Sequence, residues 1–267
     1  MKHFVLSLGL SLAAAAGLNS APALAAGSCS AHSPAYRVAL LELYTSEGCS
    51  SCPPADQYVS GLRAAGVTPE QAVLLALHVD YWNDIGWKDP FSHAAYSARQ
   101  RWLTGLAGSR TVYTPELFVA GQELRGGVER WTGGVPAAVK RINARPAQAD
   151  IRMTLGPASA AGLPVEVNAS AARSGTLFVA LVESGLASKV TAGENSGRLL
   201  RHDHVVRTWL APVPLSAGGK AGLNMATVAR TLPLPPGAAP GKLGVSAFVQ
   251  SERGDVLQAF SLSVCGN

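Results

Sequence analysis

The strongest constraint on the fold is a turn wedged between an apolar run and a helical segment. Residues 36–46, YRVALLELYTS, are rich in Val, Leu and Tyr and predict a buried strand. Cys49-Ser50-Ser51-Cys52 follows. Beyond it Tyr58, Val59, Leu62 and Ala65 recur at helical spacing up to Gly66, a natural stop. A cysteine pair at such a junction can be a structural staple, a metal clip or a redox couple. Zinc sites usually take two such pairs, or a pair with spaced histidines. The other two cysteines, Cys29 and Cys265, are single and remote.

The rest of the first half alternates. QAVLLALHVDYW reads as a second buried strand, and DIGWKDPF as an irregular aromatic loop. SHAAYSARQRWLTGLAG reads as a helix with Ser92 as N-cap, since a serine there can accept from the first free N–H groups. TPELFVAGQELRGG predicts two short strands turning at Gly121, and VPAAVKRINA a helix begun by Pro136. The order β-α-β-α-β-β-α argues for a layered α/β domain with a partly parallel sheet. Near residue 146 the composition shifts to short alternating runs separated by Gly, Pro and Ser, which predict an all-β, sandwich-like unit. The expected organisation is a signal at 1–25, an α/β domain at 26–147 and a β-rich domain at 148–267. In the β-rich part Arg253-Gly254-Asp255 reads as a hairpin turn, and Asn168-Ala169-Ser170 lies in a predicted strand. His202 and His204 around Asp203 read as a polar loop or strand end rather than as metal ligands.

The first 25 residues run from Lys2 through an apolar stretch to Ala23-Leu24-Ala25, the pattern of a secretory signal cleaved after Ala25. The expected location is the periplasm or the exterior, with no membrane association after cleavage. Disulfides persist there, so a Cys29–Cys265 bond tying the two ends together is predicted. The net charge of +5 comes from 22 basic and 17 acidic residues. These are scattered without an aromatic platform, which argues against nucleic-acid binding.

Two features favour the redox reading of the close pair: the strand–CxxC–helix placement, and Thr114-Pro115 directly before a strand, a setting suited to a cis-proline. With these, the chain resembles the thioredoxin superfamily. Through ELYTSEGCSSCPPAD, HVDYWNDIGWKDPF and VYTPELFVAG it resembles more closely the exported thioredoxin-like family called domain of unknown function 1223. The resemblance is strong over residues 36 to 145. It implies Cys49 as the exposed attacking thiol, Cys52 as the buried resolving thiol, and a cis Pro115 against the pair. It also implies protein or peptide thiols and disulfides as partners, with no cofactor.

Pro53 and Pro54 disfavour helical backbone before them, so the regular helix is expected to begin after them. Glu42, on the predicted first strand, is a candidate proton acceptor for Cys52 or else a partnered acid. His78 and Asp80 are expected on one face of the second strand. Thr114, Trp82 and Trp87 are candidate substrate contacts, although the preferred reading of Tyr81, Trp82, Trp87 and Phe91 is a loop packed onto its own domain. The leading expectation is an exported thiol–disulfide oxidoreductase. The alternatives are a copper- or zinc-binding protein using the same cysteines with His78 or another side chain, and a non-catalytic binding module with a permanent Cys49–Cys52 bond.

Overall fold

The computed structural model describes Met1, residues 27–219 and residues 222–265. The expected signal and its cleavage site lie outside the described residues, Met1 apart. Strand β1 (Cys29–His32) is followed by β2 (Ala39–Thr45), α1 (Pro53–Gly61), β3 (Ala72–His78), α2 (Ala94–Leu106), β4 (Glu116–Val119), β5 (Gln122–Glu123) and α3 (Gly127–Asn143). Then come β6 (Ala149–Leu155), β7 (Leu163–Ala171), β8 (Thr176–Glu183), β9 (Leu186–Lys189), β10 (Leu199–His202), β11 (Val205–Trp209), β12 (Val213–Pro214) and β13 (Ser216–Ala217). Strands β14 (Asn224–Leu232), β15 (Leu243–Gln250) and β16 (Val256–Ser263) complete the order.

The central sheet has nine strands. Eight run in the order β16-β15-β8-β11-β3-β2-β4-β5, and β12 pairs with β8. Pairing is parallel between β2 and β3 and between β3 and β11, and antiparallel elsewhere. The runs that read as buried strands are buried at every position: all seven residues of β2 and all seven of β3. Such strands are covered on both faces. Leu41, Leu43, Leu74, Ala55, Val59 and Trp131 join one core beneath α1 and α3. On the opposite face Leu40, Tyr44, Leu75, Leu77, Tyr96 and Leu103 join another beneath α2.

A second sheet, β1-β6-β7-β14-β13, packs its alternating apolar positions onto β8, β15 and β16. This is the sandwich-like part. Strand β1, from the start of the chain, pairs with β6, and Cys29 bonds to Cys265 with their Cα atoms 6.0 Å apart. The boundary expected at 147/148 falls between α3 and β6. The central sheet crosses it, because β11 of the second half pairs directly with β3 of the first.

Local expectations shift in three places. Helix α1 begins at Pro53, with the two prolines filling its first positions, where a missing N–H costs nothing. Cys52 is the N-cap and has helical backbone angles despite the proline after it. Helix α2 is capped by His93, not Ser92; the His93 ring accepts from the Ala95 N–H. Helix α3 begins at Gly127, with Pro136 inside it. Its buried stripe of Trp131, Val135, Ala138, Val139 and Ile142 spans the proline, and packing of that face holds the helix through it.

Candidate functional site

The Cys49–Cys52 disulfide closes the turn between β2 and α1. Successive backbone bonds wind the turn into the helix: Cys49 N to Ser46 O at 3.2 Å, Cys52 N to Cys49 O at 3.2 Å, and Ala55 N to Cys52 O at 2.8 Å. Prolines at the next two positions leave no free N–H at the helix start. The polar neighbour of the first sulfur is instead the Ser51 hydroxyl, 3.4 Å from Cys49 Sγ. Both cysteines are 0% exposed. Cys49 was expected to be the exposed thiol; the structure corrects this, because a loop from the second half lies over the turn.

That loop, residues 190–198, joins β9 to β10. Asn195 is fully buried and donates through Nδ2 to Glu47 O at 2.8 Å and Cys49 O at 2.9 Å. Glu194 accepts from the Ser50 N–H at 3.0 Å. Gly193 packs against Gly86 so closely that a Cβ on Gly86 would come within 3.2 Å of the Gly193 Cα.

Five buried ionisable side chains gather beneath the turn. Glu47 accepts from Trp87 Nε1 at 2.8 Å and from Ser188 Oγ at 3.1 Å, and pairs with His202 Nε2 at 3.0 Å. Asp89 pairs with His78 Nδ1 at 2.7 Å and accepts from the Glu47 N–H at 2.8 Å. The His78 and His202 rings meet edge to face, 5.0 Å apart, and Phe91 packs on both. Burial lowers the His78 pKa, but the Asp89 charge and hydrogen bond outweigh it, and the net shift is upward. The fifth group is Asp56, one helical turn after Cys52. Burial pushes its carboxyl up to about 6, with His78 and His202 pulling the other way.

Glu42 is not among them. It lies on the α2 face of the sheet, opposite α1, where Arg99 donates to it at 2.5 and 3.0 Å. The proton-acceptor role for Cys52 is corrected to a buried ion pair; Arg99 also donates to Gln250 at 2.9 Å. His78 and Asp80 part company, because β3 ends at His78: Asp80 accepts from Ser97 of α2 while His78 faces α1. Thr114-Pro115 is cis. Thr114 Oγ1 accepts from Trp82 Nε1 at 2.8 Å, and the Trp82 Cβ lies 3.2 Å from where a Cβ on Gly48 would stand. Both indole N–H groups of the loop are therefore committed within the protein. After Pro115, Glu116 is buried and accepts from Gln100 at 2.6 Å; burial raises its carboxyl to about 7.

Sequence reasoning missed Asp56, Glu116, Asn195 and the site role of His202. Asp56 was legible as a lone acid at a buried helical position. His202 and Asn195 were not, because they arrive from the other half. His204 turns away and is held neutral, with burial lowering it to about 4. Among the described residues no group of three or more His, Cys, Asp or Glu side chains is placed to hold a metal ion.

The profile of the family described as Protein of unknown function (DUF1223) matches residues 40–250. The chain belongs to the DUF1223 family. Those residues take in the cysteine turn, the aromatic loop, Thr114-Pro115 and the covering loop. A crystal structure of an Agrobacterium tumefaciens protein is similar at 25% identity and TM-score 0.57, over 86% of this DUF1223 chain and 96% of that one. HBP35 of Porphyromonas gingivalis shares the fold at TM-score 0.62 and 15% identity, over 87% of this chain and 76% of that one. None of the curated proteins matches this DUF1223 member. Among the described residues no helix is long and apolar enough to cross a membrane.

Proposed function

We propose that the protein is an exported thiol–disulfide oxidoreductase, built on a thioredoxin-like unit, that exchanges electrons with protein or peptide thiols through Cys49 and Cys52. The observation that carries this reading is the disulfide at the β2–α1 junction, lying over a buried acid and two buried histidines. In the oxidising direction, a substrate thiolate attacks Cys49 Sγ. The Cys49–Cys52 bond breaks and Cys52 leaves as the thiolate. The second substrate thiolate attacks the substrate sulfur bonded to Cys49; the substrate disulfide forms, the bond to Cys49 breaks, and Cys49 leaves as the thiolate. Two electrons and two protons pass from the substrate to the pair. Asp56, one turn beyond Cys52 and with a raised pKa, is assigned to deliver or accept the Cys52 proton. The Ser51 hydroxyl beside Cys49 Sγ would donate to the thiolate and favour it.

A second reading has its own observation. Both cysteines are wholly buried, which suits a permanent staple in a binding module. Equilibration of the protein with glutathione buffers, with the two disulfides scored separately by mass spectrometry, separates the readings. A potential for Cys49–Cys52 between about −120 and −270 mV is expected, and its position sets the direction of electron flow. A value below about −300 mV would remove the exchange reading and leave the staple.

A further inference from the structure

We propose that the β9–β10 hairpin is a flap, closed over the Cys49–Cys52 disulfide, that swings about Gly185 and His204 to admit a thiol substrate; the purpose of the opening rests on the exchange reading above. Six observations carry it. Among the described residues β9 and β10 pair only with each other, while the other strands belong to one of the two large sheets. The hairpin is thus attached at its base and not by a ladder. Both ends of that base have left-handed backbone: Gly185 at φ +71° and His204 at φ 59°. Such element-terminal positions are where a hinge absorbs a change in φ and ψ. The base is tied by the Gly185 N–H to Asp203 and the His204 N–H to the Ser184 hydroxyl.

The flap is also internally braced. Val190 N donates to Arg198 O at 3.0 Å, Gly197 N to Val190 O at 2.9 Å, and Arg198 Nη1 to Asn195 Oδ1 at 2.8 Å. It can move as one body. Of its side chains only Val190 and Leu200 are buried apolar groups, so little apolar area opposes local opening. Its grip on the cysteine turn is polar. Asn195 takes the carbonyls of Glu47 and Cys49, Glu194 takes the Ser50 N–H, and nearer the base Ser188 donates to the Glu47 carboxyl while His202 pairs with it. A side-chain amide and a carboxylate here satisfy main-chain groups on either side of the Cys49–Ser50 peptide bond. An extended peptide carries the same donor and acceptor and can replace them when the flap lifts. The flap is then an internal competitor of the substrate.

The test is the rate at which tris(2-carboxyethyl)phosphine opens Cys49–Cys52 in the native protein, followed by mass spectrometry with Cys29–Cys265 as the internal reference. A gated bond gives a rate that levels off at high phosphine, the plateau being the opening rate. Asn195→Ala, which removes two hydrogen bonds of the latch, is expected to raise the low-phosphine rate about tenfold or more without accelerating Cys29–Cys265. Glu194→Ala is expected to act in the same direction by less. A wild-type rate linear in phosphine throughout and unchanged in both variants would overturn the flap. So would equal acceleration of the two disulfides, which marks global unfolding. Should Asn195→Ala not fold, amide exchange of the wild type decides. The Ser50 N–H must exchange together with residues 190–198 and faster than the β2 amides; exchange of Ser50 only with the β2 core would refute the proposal. These rates are independent of the reduction potential. A gated pair with a strongly reducing potential would keep the flap and discard exchange.

Discussion

Burial holds the Asp56 carboxyl up to about 6, whereas an unfolded chain ionises it at its ordinary 3.8. Below that ordinary value both states are protonated and Asp56 is neutral in the balance. As the pH rises to about 6 the unfolded state ionises first, and stability falls. Above about 6 the full cost of about 3 kcal/mol is present. Asp56→Asn is therefore expected to raise stability by that order at pH 8 and to leave it nearly unchanged at pH 4, read from urea midpoints at the two pH values. An equal gain at both would mean that burial does not set the Asp56 pKa. Glu42 forms a buried ion pair with Arg99. Glu42→Gln leaves the buried guanidinium uncompensated and should cost about 3–5 kcal/mol, with no change in the Cys49–Cys52 potential. A shifted potential would return Glu42 to the redox site.

At the scale of elements, the order of strands and helices in the first half was readable, while the exact helix starts and caps were not. The order β-α-β-α-β-β-α runs from Ala39 to Asn143. Arg253-Gly254-Asp255 is the turn between β15 and β16, with Gly254 at φ +86°. Helix α3 shows where local reading stops. Gly133, Gly134 and Pro136 weaken its propensity, yet the buried stripe carries it through all three. Its two glycines make a paired prediction. A Cβ on Gly133 meets nothing within 4 Å, so Gly133→Ala should stabilise by about 1 kcal/mol. A Cβ on Gly134 meets Leu124 Cδ2 at 3.3 Å, so Gly134→Ala should gain less or nothing. Thermal melts of the two variants check it, and equal gains would contradict the packing of α3 on Leu124. The hairpin over the site was not readable at this scale. Its contacts with the cysteine turn, such as His202 with Glu47, join residues 155 apart in sequence. Nothing in the local pattern around His202 names that partner.

For the molecule as a whole, the long disulfide and the shared sheet act together. Cys29–Cys265 closes nearly the whole described chain. Replacing both with serine should cost about 4–5 kcal/mol, measured by denaturation, while the Cys49–Cys52 potential stays where it was. A change in that potential would show that the ends of the chain reach the site. The end-to-end bond was legible because two remote cysteines had few other partners. The division into halves was legible only as a change of composition. What joins them, β11 against β3, depends on a parallel pairing between distant segments that no local pattern encodes.

That pairing has a consequence for a chain made from its N-terminus. Strand β3 is buried along its whole length, and only β2 can lie beside it until Val205 and its neighbours have been synthesised. For that interval the nascent protein carries an open, apolar sheet edge, the kind of surface that recruits a second copy into aggregates. Completion of the second half closes that edge, and the same stretch of chain brings the cover for the cysteines. Protection from misassembly and concealment of the disulfide thus arrive together, with the segment that carries Asn195 and Val205.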